Sequence, residues 1–84
     1  MDKLEYELVT LRNNKQYFIL EDLLYQYDTY DLVLNVEDEN DIKIVLQEVK
    51  NGKTVLTPVE DKALLKELGK LFDERIKVKQ SSIN

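Results

Sequence analysis

The chain contains no cysteine and no histidine. It therefore lacks the thiolate nucleophile, the imidazole general base and the usual zinc ligands. Its two glycines, Gly52 and Gly69, are too far apart to form a glycine-rich phosphate loop. We expect a protein that is not an enzyme and that uses no cofactor and no metal. Catalysis by paired carboxylates is the alternative left open, although 84 residues leave little room for the dry cleft it needs.

The absence of cysteine also bears on where the protein acts. Small secreted domains usually depend on disulfides, so a chain of 84 residues without them favours the reducing cytoplasm. The charged start Met1-Asp2-Lys3-Leu4-Glu5 has no apolar segment, so a signal peptide is not expected. Apolar runs such as residues 18–20 and 32–34 are far shorter than the roughly 20 residues of a membrane-spanning helix. We predict a cytoplasmic protein.

Acidic residues outnumber basic ones by 17 to 12, and they are unevenly placed. From residue 16 to residue 42 the chain has no lysine or arginine but carries eight acids: Glu21, Asp22, Asp28, Asp31, Glu37, Asp38, Glu39 and Asp41. Such a surface repels nucleic acids and anionic membranes and attracts a basic protein. The competing interpretation is that the charge only keeps a small domain soluble.

Apolar residues recur at every second position through much of the first 57 residues, which is typical of strands with one wet face. We expect strands at residues 4–8, 17–20, 30–36, 42–50 and 53–57, with turns at 12–15, 27–29 and 37–41. Where the alternation fails at Glu21-Asp22, a helical turn or a β-bulge fits, and the bulge is favoured. Asn51-Gly52 predicts a type I′ turn, because both of its central residues need positive φ.

After residue 57 the apolar spacing changes from two to 3.6, which predicts a helix. Thr57 and Glu60 fit a capping box, with Pro58 at the first helical position. The apolar stripe of this helix consists of Leu64, Leu65, Leu68, Leu71, Phe72 and Ile76. Gly69 within it is expected to let the sheet approach closely.

These patterns together predict an α+β fold. An antiparallel meander of four to five strands packs one face against one C-terminal helix. We expect a single domain over residues 1–79 and a flexible tail over residues 80–84.

Four of the five tyrosines lie within the base-free stretch, and three of these, Tyr25, Tyr27 and Tyr30, follow its first two acids. Tyrosine is common at protein interfaces, because it combines an apolar ring with a hydroxyl. We predict that an acidic sheet surface contacts a partner through Tyr25, Tyr27, Asp28, Tyr30, Asp31, Glu37, Asp38, Glu39 and Asp41. The alternative is that the tyrosines pack within the sheet. Residues 37–41 lack the spacing and the glycine of an EF-hand loop, so a solvated turn is favoured over a calcium site.

Three segments carry a resemblance to a known family. They are residues 30–34 (Tyr-Asp-Leu-Val-Leu), the junction at 56–61 (Leu-Thr-Pro-Val-Glu-Asp), and the helical positions Leu64, Leu65, Leu68 and Phe72. In these segments the chain resembles the YrzB-like proteins, small acidic proteins of unknown function from low-GC Gram-positive bacteria. The resemblance extends from Tyr17 to about Ile76 and implies the same α+β fold. It implies no catalytic or binding residues.

Two functional hypotheses follow. The favoured one is an interaction or regulatory module that binds a basic protein surface and does not bind nucleic acid or membrane directly. The second is an inhibitor of the phage type that imitates nucleic acid with its carboxylates. An exposed sheet edge also permits a homodimer.

Overall fold

Five antiparallel strands followed by one helix make up the part of the chain that the structure describes. The computed structural model describes residues 6–81, with the side chains of residues 6–77. The elements are β1 (Leu8–Thr10), β2 (Gln16–Tyr25), β3 (Asp28–Asn35), β4 (Ile42–Lys50), β5 (Lys53–Pro58) and α1 (Lys62–Ser81). Each strand pairs with the next in the order β1-β2-β3-β4-β5, so the predicted α+β meander is confirmed.

The ends of the chain differ from the expected boundaries. β1 begins at Leu8, and residues 4 and 5 of the first expected strand lie outside the described residues. α1 continues to Ser81, two residues into the segment expected to be a tail, and the rest of that segment is also outside the described range. Among the described residues, no helix has both the length and the apolar content needed to cross a bilayer.

Three strand connections use the left-handed backbone conformation. Asn14 has a φ of 68° between β1 and β2, and Asn51 and Gly52 have φ values of 52° and 77° between β4 and β5. The predicted Asn-Gly turn is therefore confirmed. The β2–β3 turn lies at Gln26 and Tyr27, with φ values of 50° and 73°, one residue earlier than expected. Neither residue type favours positive φ, so composition did not indicate this position.

β2 contains a β-bulge at Leu20, between Ile19 and Glu21, as the favoured alternative predicted. Because a bulge adds one residue, the alternation of side chains changes phase there. Glu21 consequently lies on the helix side of the sheet, where Arg75 Nε donates to its carboxylate at 3.2 Å. Asp22 lies on the opposite face.

The helix begins later than predicted, and its cap is a different residue. Asp61 Oδ1 accepts hydrogen bonds from the backbone N–H groups of Ala63, at 2.9 Å, and Leu64, at 3.2 Å. The predicted capping box of Thr57 and Glu60 is wrong, because Thr57 belongs to β5 and pairs across the sheet with β4. Thr57 and Pro58 are paired in the sheet and cannot start the helix. Asp61 caps it instead, and aspartate is among the residues preferred at this position.

Apolar side chains are buried on both faces of the sheet, although one wet face was expected. On the helix side the buried residues are Leu23, Tyr30, Leu68 and Phe72. On the opposite side they are Leu11, Tyr17, Val33 and Val45. The second cluster exists because the chain after β1 folds over this face, where Leu11 joins a group that includes Leu56 from the other sheet edge. The close approach predicted for Gly69 is also wrong, since an added Cβ would meet no atom within 4 Å.

Candidate protein-interaction surface

A row of apolar side chains crosses four strands of the sheet. Leu8 of β1 lies opposite Phe18 of β2, and Phe18 lies opposite Leu34 of β3. Leu34 in turn lies opposite Ile42 of β4. Directly paired residues share one face of an antiparallel sheet, so the four side chains form a continuous line. Tyr6 extends it, with its ring centroid 6.1 Å from that of Phe18. We call these five residues the apolar row.

The apolar row lies on the helix side of the sheet but is not covered by α1. Leu34 and Ile42 are two positions from Leu32 and Ile44, which do pack in the helix-side cluster. No member of the row belongs to either buried cluster of the described residues. Leu8 and Ile42 are 51% and 54% exposed as a result. Phe18 and Leu34, which lie between them, are half-buried, so the apolar row is partly exposed along its length and most exposed at Leu8 and Ile42.

The β3–β4 turn borders one end of the apolar row with negative charge. Glu37, Asp38 and Glu39 are exposed in this turn, which leads directly into Ile42 at the start of β4. The side chains of Glu37 and Glu39 make no hydrogen bond or ion pair with any residue in the described range. Three acids predicted as partner-binding therefore lie together beside an apolar surface.

Asp41, the last acid of this turn, fastens the turn to the core. Its Oδ2 accepts hydrogen bonds from the Tyr17 hydroxyl at 2.7 Å and from Asn35 Nδ2 at 3.0 Å. Its Oδ1 pairs with Lys43 Nζ at 3.1 Å. The hydrogen bonds from Asn35 and Tyr17, with the contact to Lys43, lower the pKa of Asp41 from 3.8 to about 2. The carboxylate is therefore occupied by contacts within the protein.

The remaining predicted residues lie at the other end of β3. Eight residues of extended chain span roughly 25 Å, so Tyr25, Tyr27 and Asp28 are well separated from the β3–β4 turn. Tyr27 is fully exposed at the tip of the β2–β3 hairpin, whereas Tyr25 is half-buried with its ring 6.4 Å from that of Tyr30. The predicted residues are divided between two ends of the sheet and do not form one continuous surface.

Tyr30 and Asp31 are buried, and for this reason their assignment to an exposed partner surface is corrected. Tyr30 is part of the helix-side cluster, and burial raises the pKa of its hydroxyl. Asp31 is 0% exposed and lies on the opposite face, where its Oδ2 accepts a hydrogen bond from Gln47 Nε2 at 2.7 Å. Burial, and then the neighbouring Asp22, raise the pKa of Asp31 from 3.8 to about 7.

No group of three or more Asp and Glu side chains within residues 6–77 has the geometry to hold a metal ion. The acidic β3–β4 turn is included in that range. Its carboxylates lie at the border of the apolar row.

Two features of these surfaces were not predicted from the sequence. The members of the apolar row occupy ordinary apolar positions of alternating strands, and nothing in the alternation distinguishes them from positions that the helix covers. The length of the expected strands nevertheless indicated that one helix could not cover a whole face of the sheet. The strand predicted at residues 42–50 carries four or five side chains on each face, about 6.7 Å apart, and one helix roughly 10 Å wide covers only about two of those positions. The failed alternation at Glu21-Asp22 indicated the bulge, but it did not indicate that Asp22 would lie opposite Asp31.

No protein-family model, curated protein or solved structure matches this chain. The resemblance to the YrzB-like proteins therefore stays a prediction. Function has to be inferred from the surfaces themselves.

Proposed function

We propose that this protein is an interaction module that binds a basic amphipathic helix of a partner protein. The binding surface consists of the apolar row and the acidic β3–β4 turn. The observation that carries this proposal is the apolar row, with Leu8 and Ile42 more than half exposed beside Glu37, Asp38 and Glu39. Apolar contact supplies affinity at such a surface, and the carboxylates favour a basic partner over other proteins.

The spacing of the apolar row supports a helical partner. Neighbouring strands lie about 4.8 Å apart, which is close to the 5.4 Å pitch of an α-helix. Apolar residues at positions i, i+4 and i+7 of a helix lying along the row can therefore each contact the side chain of a successive strand. Lys or Arg near one end of that helix would then lie beside Glu37 and Glu39.

A second copy of this chain fits the same surface less well. A symmetric dimer brings one patch against itself, so the acids of the two β3–β4 turns would lie near one another. The chain already carries a net charge of −5, which disfavours this contact further. We further propose that the module acts in the cytoplasm, because a chain of this size without cysteine cannot use disulfides for stability.

The test compares two charged substitutions on the same strand. Ile42 and Val49 both lie in β4 and are 54% and 75% exposed, but they are an odd number of residues apart and so face opposite sides of the sheet. We expect Ile42→Asp to abolish capture of a partner from host lysate, and Val49→Asp to leave capture unchanged. Equal capture by the two variants would contradict the proposal.

The acidic contribution is tested by charge reversal in the β3–β4 turn. Glu37→Lys with Glu39→Lys should weaken the same complex at least tenfold, whereas Glu74→Lys on the exposed side of α1 should have little effect. The complex should also weaken as salt rises from 50 to 500 mM, because the charged contacts are exposed. A salt-insensitive complex would remove the charge argument. Two other results would point to a different occupant of this surface. If the protein self-associates in analytical ultracentrifugation and Ile42→Asp abolishes this, the occupant is a second copy of the chain. If DNA competes for the captured protein, nucleic-acid mimicry is favoured.

A further inference from the structure

A cavity of about 630 Å³ lies on the face of the sheet opposite α1. It is lined from both edges of the sheet, by Val9 of β1 and Leu56 of β5, and by Ile19 of β2 between them. These three side chains pack on the buried cluster of that face. The walls of the cavity therefore include a substantial apolar part.

Three carboxylates also line this cavity: those of Glu7, Asp22 and Asp31. Asp22 and Asp31 lie directly opposite each other on adjacent strands. Asp31 is fully buried, and its Oδ2 accepts a hydrogen bond from Gln47. Its Oδ1 accepts from no donor group within the described residues, although the Asp22 carboxyl is close enough to share a hydrogen bond with Asp31 when one of the two is protonated. A buried carboxylate oxygen without a donor costs free energy, so a ligand that brings a donor to it gains that free energy back.

We propose that this cavity binds an alkyl ammonium or alkyl guanidinium group, with the cation between the Asp22 and Asp31 carboxylates. The cationic head supplies the donors that Asp31 Oδ1 lacks, and a guanidinium can pair with two carboxylates at once. The alkyl stem lies against the apolar walls, as the stems of Lys and Arg do in proteins. A bare metal ion would leave those walls without a contact, and no metal-binding group is found within residues 6–77.

The charged groups around the pair make binding dependent on pH. Glu7 adds negative charge from the β1 side, and Gln47 donates from β4. Among the residues that the structure describes, Arg12 is the one cation that lines this cavity. Burial and the Asp22 carboxylate raise the pKa of Asp31 to about 7, so the two carboxyls hold a shared proton below that pH. The cation must displace this proton. Its affinity should therefore rise about tenfold per pH unit up to pH 7 and then level off.

The binding test uses a charged probe and its neutral isostere. n-Butylguanidinium, titrated at pH 8 and followed by amide chemical shifts, should move the signals of Asp22, Asp31, Gln47 and Leu56. n-Butylurea has the same shape without the charge and should move them at least tenfold less. Equal shifts with the two probes, or no shifts at these residues, would overturn the proposal.

Two carboxylate-to-amide variants separate the cavity from general charge. Asp31→Asn should lower the affinity for n-butylguanidinium at least tenfold, whereas Glu39→Gln makes the same charge change at an exposed turn and should leave it unchanged. Asparagine matches the shape of aspartate, so both variants are expected to keep the native amide spectrum. Asp22→Asn, which removes the other carboxylate of the pair, should also lower the affinity for n-butylguanidinium. Unchanged affinity in both aspartate variants would contradict the assignment.

The source of the cation is decided by two further ligands. Tighter binding of 1,4-diaminobutane assigns a free amine, and tighter binding of a peptide with a central arginine assigns a side chain of a partner protein. Failure of both to bind would overturn the proposal. Ile42→Asp lies on the other face of the sheet and should leave all these affinities unchanged, so this site and the proposed helix-binding surface can fail separately.

Discussion

Asp22 of β2 and Asp31 of β3 form a directly opposed cross-strand pair on the face of the sheet away from α1. Like charges in this position repel each other, and the burial of Asp31 adds a desolvation cost to its ionised form. The result is a carboxyl whose pKa is raised to about 7 in a chain with no histidine. We therefore expect this pair to make the stability of the protein depend on pH between about 4 and 7.

We expect the free energy of unfolding to fall as pH rises from about 4 to about 7. In this window Asp31 keeps its proton in the folded protein, whereas its unfolded pKa is near 3.8. Raising the pH therefore favours the unfolded chain, by at most about 1.4 kcal/mol per pH unit. Urea unfolding at pH 4, 5.5 and 7 measures this slope. Asp31→Asn should remove it, and an equal slope in that variant would show that other groups cause it.

Below pH 4 we expect the opposite dependence, because the pKa of Asp41 is lowered to about 2. Its contacts with Asn35, Tyr17 and Lys43 favour the ionised form in the folded protein, so their stabilisation is present above pH 4 and is lost as pH falls through 2. The stability maximum should therefore lie near pH 4. Asp41→Asn should weaken the loss between pH 4 and 2, while Glu39→Gln should leave that part of the curve as it is. Identical acid unfolding of all three proteins would contradict this role.

The cap of α1 predicts a contrast between two neighbouring acids. Asp61→Ala removes the acceptor for two backbone N–H groups and should lower the free energy of unfolding by about 1 kcal/mol. Glu60→Ala should change it by less than about 0.5 kcal/mol, as is usual for exposed sites without such contacts. Chemical denaturation of both variants measures the difference. A larger loss for Glu60→Ala would restore the capping box predicted from the sequence.

The two glycines should respond to alanine in opposite directions. Gly69→Ala should stabilise the protein by up to about 1 kcal/mol, because alanine favours the helix and its Cβ meets no atom within 4 Å. Gly52→Ala places a side chain at a φ of 77° and should destabilise by about 1–2 kcal/mol. The midpoint of thermal unfolding in each variant checks both signs. Destabilisation by Gly69→Ala would indicate a contact that the helix face makes in another state.

Much of the fold could be predicted because local signals and tertiary contacts agree. The alternation of Tyr30, Leu32 and Leu34 indicated the strand that became β3. Asn51-Gly52 indicated the turn between β4 and β5 from the two residues alone. The start of α1 could not be predicted in the same way. Thr57 and Pro58 fit the start of a helix by their residue types, but both pair with β4 as the last residues of β5.

The candidate surfaces were harder to predict than the fold, because they depend on which side chains of the sheet the helix and the loops leave exposed. The acids of the β3–β4 turn were identified from composition, since few side chains there can be buried. Leu8 and Ile42 looked like core positions, and only the pairing of four strands beyond the reach of one helix leaves them exposed. Asp31 was assigned to the surface because it is an acid, but it is fully buried on the face opposite α1.

The bulge at Leu20 affects the curvature of β2 separately from the faces on which its side chains lie. β2 is one residue longer than its ladder with β3 requires, so deleting Leu20 would restore a regular ladder and keep Glu21 and Asp22 on their present sides. What the deletion would change is curvature, because a bulge bends a strand and increases its twist. A shortened chain should hold the same carboxylates on a flatter sheet, with the β1 and β5 edges further apart. Leu20 therefore sets the curvature of the sheet around the cavity opposite α1. Which carboxylates line that cavity depends on the alternation of the other β2 residues.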